Sequence, residues 1–69
     1  MSYLVVIEKA KRNYSAYVPD LPGCVATGKT PAQARKAIRS AIAMHLEGLR
    51  ADGLPIPSPR ARAEVVEVA

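Results

Sequence analysis

Residues 17–30, Tyr-Val-Pro-Asp-Leu-Pro-Gly-Cys-Val-Ala-Thr-Gly-Lys-Thr, leave the chain little conformational choice. Pro19 has no ladder donor and belongs at a strand end or a sheet edge. Asp20-Leu21-Pro22-Gly23 is turn chemistry: Asp20 accepts from nearby amides, Pro22 presets its own φ, and Gly23 tolerates positive φ. Cys24 to Thr27 suits a short strand and Gly28 breaks it. Thr30-Pro31 then opens a helix, with a hydroxyl N-cap and proline at the first helical position. One stretch therefore sets a strand corner against a helix start, and it contains no complete catalytic constellation.

The flanking segments supply the rest of the fold. Tyr3 to Lys9 is a β-branched run, apolar on both faces until Glu8, and reads as an inner strand. Ala10 to Asn13 is a polar connection to a second strand over 14–18, most economically as a hairpin, and 24–27 completes a meander. The helix is expected over 31–52, with Gly53 as its left-handed stop. At the helical period Ala34, Ile38, Ala41, Ile42, His45 and Leu49 share one side, with Ala37 and Leu46 at its margins, while Lys36, Arg39, Glu47 and Arg50 lie opposite. Leu54-Pro-Ile-Pro-Ser-Pro59 forbids helix and makes a stiff connector of about 18 Å. Ala63 to Val68 reads as a last strand over 63–68, parallel to the first through a right-handed crossover. The expected architecture is a single α+β domain, two-layer β-β-β-α-β with strand order 3-2-1-4. One sheet face is left uncovered, and Leu4, Val6, Tyr17, Val66 and Val68 are candidates to share it as a self-association or partner surface.

Size and composition narrow the function. A 69-residue chain with one cysteine has no intrachain disulfide to staple a small core, so a homo-oligomer (dimer or tetramer) or a second protein is expected to complete the burial. A free thiol, no signal-like N-terminus and no apolar span fit a cytoplasmic protein without a membrane role. The net charge of +4 is dispersed and only three aromatic residues, all tyrosine, are present. A stacking platform for single-stranded nucleic acid is therefore poorly provided. Arg35, Lys36, Arg39 and Arg50 on the helix are the candidate nucleic-acid contacts, although a solvated helix face is the more frequent outcome.

No catalytic, cofactor or metal site is expected. A two-metal nuclease centre needs convergent carboxylates, whereas Glu8, Asp20, Glu47, Asp52, Glu64 and Glu67 fall on separate elements. Cys24 and His45 are the sole candidates for a nucleophile and its base, and two ligands are too few for a stable metal site. A buried cysteine more often serves as a small apolar residue. Asp20 is read chiefly as the cap of the turn before Pro22.

Tyr14-x-Ala16-x-x-Pro19-Asp20-Leu21-Pro22-Gly23-Cys24, followed by Gly28-x-Thr30, Ala34, His45-Leu46-Glu47 and Gly53-x-Pro55-x-Pro57, resembles the HicB family of small bacterial and archaeal antitoxins. The resemblance covers nearly the whole chain and marks Pro19, Asp20, Pro22, Gly23, Cys24, Gly28, Thr30 and Gly53 as its structural motif. It implies a partly degraded RNase H-like fold and a non-enzymatic role: binding and neutralising a HicA-type mRNA-cleaving toxin. Many members carry a DNA-binding domain after the matched part. Here the sequence stops at Ala69, so a solo HicB-like protein is the expectation. The alternatives are an oligomeric nucleic-acid-binding regulator and an orphan degenerate RNase H-like domain. An RNA-binding toxin is itself expected to be basic, so its contact with a basic antitoxin should be apolar and mediated by a β-edge.

Overall fold

The computed structural model describes residues 1–69. Strands β1 (Val6–Lys9), β2 (Tyr14–Tyr17) and β3 (Val25–Gly28) precede one helix, α1 (Pro31–Ala51). The strands form an antiparallel meander in the order β1-β2-β3, and the helix packs on one face, giving an α+β arrangement. No helix is both long and apolar enough to cross a membrane.

Register decides what each face carries. Ile7, Ala16 and Ala26 form one cross-strand row and Lys9, Tyr14 and Gly28 another. These rows face the helix, because Ala16 is buried in the core while Tyr14 and Ala26 pack against it. By the two-residue period of a strand, the rows Val6–Tyr17–Val25 and Glu8–Ser15–Thr27 point away from the helix.

The Pro-rich corner is two consecutive turns. Leu21 N–H donates to the Val18 carbonyl and Cys24 N–H to the Leu21 carbonyl, each at 3.0 Å. In the second turn Pro22 precedes Gly23, whose φ of +83° is the left-handed geometry a type II turn requires at that position. The corner folds inward. Leu21 is fully buried and joins Ala16, Val18, Cys24, Ala34 and Ile38 in the core. A leucine between two turn residues gives no periodic signal, which is why its place in the core is visible only in three dimensions.

The helix is bounded as its ends suggest. Thr30 Oγ1 accepts from Gln33 N–H at 3.1 Å, Gln33 Oε1 accepts from Lys29 N–H at 3.1 Å, and Pro31 takes the first helical position. At the other end Gly53 has φ +68°. Its N–H donates to the Arg50 carbonyl and that of Leu54 to the Leu49 carbonyl, the paired bonds of a Schellman cap. Gly28 is required by close approach: a Cβ there would collide with Ala34 N and lie 2.7 Å from Gln33 C and 2.8 Å from Ala34 Cα. The first helical turn is thus pressed onto the end of β3.

Two expectations are corrected. The first strand begins at Val6, not Tyr3, and is an edge strand, since β2 alone pairs with it. The strand expected over 63–68, and with it the 3-2-1-4 order, does not form: residues 54–69 adopt neither helix nor strand. The physical reason lies upstream. Asp20 Oδ2 accepts from the N–H groups of Arg60 at 2.8 Å and Ala61 at 2.9 Å. These bonds hold the connector at the β2–β3 corner, and from there the chain runs into solvent instead of turning along β1.

Leu21→Ala should cost about 2–5 kcal/mol of stability, the range for truncating a buried leucine, read from the denaturant midpoint. Gly28→Ala should cost about 1–3 kcal/mol, because backbone must move to accept the methyl group. In so small a core either loss should be visible as a lower midpoint with the helical circular dichroism signal intact below it.

Candidate functional site

The helix-free face of the sheet presents a built apolar row. Val6, Tyr17 and Val25 stand opposite one another on three adjacent strands. Tyr17 is 39% and Val25 66% exposed, although both are large apolar side chains held on rigid strands. The neighbouring row, Glu8–Ser15–Thr27, is polar, so the apolar character is confined to one end of the face. Leu4, half-buried, precedes Val6 by two residues. The structure therefore brings Val6 and Tyr17 together as the sequence suggested and adds Val25, which sequence reading missed because only the strand register places it beside Tyr17. Val66 and Val68 lie elsewhere, exposed on the C-terminal segment.

A second feature lies on the other side of β1. A groove between β1 and α1 has Val5, Ile7, Ile38 and Ile42 in its floor and Arg35, Lys36 and Arg39 along its helix side. Three of the four candidate nucleic-acid contacts thus share one rim. Arg50 does not, standing 11 residues, or about 16 Å of helix, beyond Arg39.

Asp20 serves a different purpose from the one its position suggested. It does not cap its own turn but binds two backbone amides some 40 residues away. Those two bonds, from Ala61 first and then Arg60, hold its carboxyl below the usual carboxylate range. Tyr3 OH donates to the Pro57 carbonyl and fixes the same connector at a second point.

Cys24 and His45 do line one shallow depression, with Gly23, Val25, Ala41 and Met44 around them. Cys24 is buried, and burial pushes its thiol pKa up. A nucleophilic cysteine needs the opposite shift. No three His, Cys, Asp or Glu side chains converge anywhere in the molecule. Of the motif residues, Cys24 is core, Gly23, Gly28 and Gly53 meet backbone requirements, and Thr30 caps α1. Pro19 and Pro22 are exposed on the corner.

Residues 3–68 match the sequence model described as the HicB-like antitoxin of bacterial toxin-antitoxin systems. The chain belongs to the HicB-like antitoxin family. Similar chains occur in several organisms. A UPF0150 protein of Thermoplasma acidophilum is 39% identical over 69 residues, covering 99% of this chain and 97% of its own. One from Helicobacter pylori is 44% identical over 55 residues, 80% of this chain and 76% of its own. A protein from the rep-hol intergenic region of Haemophilus phage HP1 is 39% identical over 57 residues, 83% of this chain, of which the match spans only 43%. Among solved structures, a chain of the HicA3 and HicB3 toxin-antitoxin complex superposes with a TM-score of 0.74 at 37% identity. That match covers 87% of this chain and 70% of the other.

The Asp20 anchor should respond to pH with a definite sign. A carboxyl whose folded pKa is lowered contributes stability that is fully present above its unfolded value and lost as pH falls through the folded one. Hydrogen exchange at the Arg60 and Ala61 amides should therefore be slow above the ordinary aspartate range and lose its protection in acid. Asp20→Ala should remove that protection at every pH while leaving α1 folded.

Proposed function

We propose that this chain binds a HicA-type mRNA-cleaving toxin and neutralises it by protein–protein contact, acting in the cytoplasm as a homo-oligomer without catalysis of its own. The observation that carries this reading is the 37% identity, across 87% of the chain, to a component of a toxin-antitoxin complex. The raised pKa of the buried Cys24 thiol is in keeping with a structural role for that residue. The antiparallel meander with its single packed helix is in keeping with the partly degraded RNase H-like arrangement that the family resemblance implies.

The contact surface we assign is the Val6–Tyr17–Val25 row with Leu4 beside it. The chain carries a net charge of +4, and a toxin that grips RNA must present basic groups to phosphate. Opposed charge cannot drive their union, so desolvation of apolar surface has to. β3 is an edge strand with Val25 on it, which offers main-chain pairing next to the apolar row. A second reading, nucleic-acid binding, is favoured by one observation: Arg35, Lys36 and Arg39 share a rim.

The test is to mix the purified chain with a HicA-type toxin, follow mass by light scattering at low and high salt, and assay mRNA cleavage. A stoichiometric complex that persists in high salt and silences cleavage is expected. Tyr17→Ala should weaken it about tenfold, equivalent to ~1.4 kcal/mol, and Thr27→Ala in the polar row should leave it unchanged. Failure to bind or inhibit would overturn the toxin reading. Phosphate binding would instead weaken with a log–log salt slope of about −0.9 for each phosphate contacted on duplex DNA.

A further inference from the structure

Two surfaces of this chain lack what the other supplies. The first is the outer edge of β1, whose amides and carbonyls on that side pair with nothing, beside a groove floored by Val5, Ile7 and Ile42 and rimmed by Arg35, Lys36 and Arg39. The second is the segment Ala63 to Val68, Ala-Glu-Val-Val-Glu-Val. Val65, Val66 and Val68 on it are 102%, 75% and 82% exposed. No residue after Leu54 takes part in a backbone-to-backbone hydrogen bond. The segment is thus β-branched, apolar and unpaired.

We infer that the segment 63–68 of one chain adds as a fourth strand to the β1 edge of a second copy, reciprocally, so that the folded unit is a strand-exchanged dimer.

Three observations support this occupant over others. Charge is complementary: the segment carries Glu64 and Glu67, and the rim carries three basic side chains and no acidic one. Glu64 and Glu67 have opposite parity along a strand, so in either orientation of the added strand one carboxylate faces the helix side of the groove, where those cations stand. Length also suffices, since six residues more than span the four of β1. Direction selects a second copy rather than the chain's own edge. Asp20 and Tyr3 tie the connector at Arg60, Ala61 and Pro57, and beyond Ala61 the chain projects from the body. The radius of gyration is 13.5 Å, against about 11 Å for a compact domain of this length. Reciprocal exchange then gives a closed two-fold assembly in which each groove and each segment is covered.

The inference concerns the chain alone and is independent of the toxin reading, so it is tested without a toxin. Light scattering should give twice the chain mass, and hydrogen exchange should show protected amides over 64–68. Deleting residues 63–69 should yield a monomer that keeps the helical circular dichroism signal. The pair Glu64→Lys and Glu67→Lys should raise the dimer dissociation constant at least tenfold in low salt. A monomeric wild-type chain, a dimer undiminished by the deletion, or a dimer whose 64–68 amides exchange at unfolded rates would each overturn the inference. Should the deleted chain fail to fold, exchange protection in the intact dimer decides the question.

Discussion

The structure depends on the inward fold of the corner between β2 and β3. Its two turns drive Leu21 under the sheet, where it meets Ile38 and Ala34 of the helix and closes the core against Ala16, Val18 and Cys24. Leu21 and Ile38 are the two largest fully buried side chains, so without that leucine Ile38 would meet only smaller residues at the centre of the core. The close approach at Gly28, where the helix backbone sits against the strand end with no room for a Cβ, follows from the same geometry. Corner, strand end and helix start are adjacent in sequence, so the contacts that define the fold are made early in the chain and at little loop-closure cost.

A core of six buried residues in 69 leaves much apolar surface without a partner. The molecule distributes it in separate places: a row across the open sheet face, a groove along the β1 edge, and valines on the C-terminal segment. A small unstapled domain gains little by hiding such surface within itself, because each further ordered residue costs conformational entropy comparable to what its burial returns. Association recovers the burial by covering surfaces that are already ordered. Such surface suits the partner binding proposed above for this member of the HicB-like antitoxin family.

Charge plays a secondary part. The basic residues lie exposed on the helix, around the β1–β2 turn, just before the helix and on the C-terminal segment, and the one close ion pair, Arg62 with Glu64 at 3.7 Å, lies in solvent, where such pairs add little stability. The carboxylate with a defined structural task is Asp20, and it acts through backbone amides. By fixing Arg60 and Ala61 it determines where the last residues leave the body of the protein.

Much of this was legible in the sequence because it is local. Thr30-Pro31 and Gly53 delimit the helix, Pro22-Gly23 specifies a turn, and the apolar stripe from Ala34 to Leu49 names the buried helix face; each rests on interactions spanning a few residues. The family resemblance, carried by the corner motif, was legible for the same reason. What the tertiary structure alone decided is long-range. Leu21 enters the core because two turns reverse the chain around it, and Val25 joins Val6 and Tyr17 because of strand register. Asp20 reaches amides 40 residues away because the connector crosses the corner. The β-branched residues 63–68 have every local mark of a strand, yet a strand exists only where a partner edge is presented to it. Propensity lies in the residues themselves, but pairing depends on where the rest of the chain leads them.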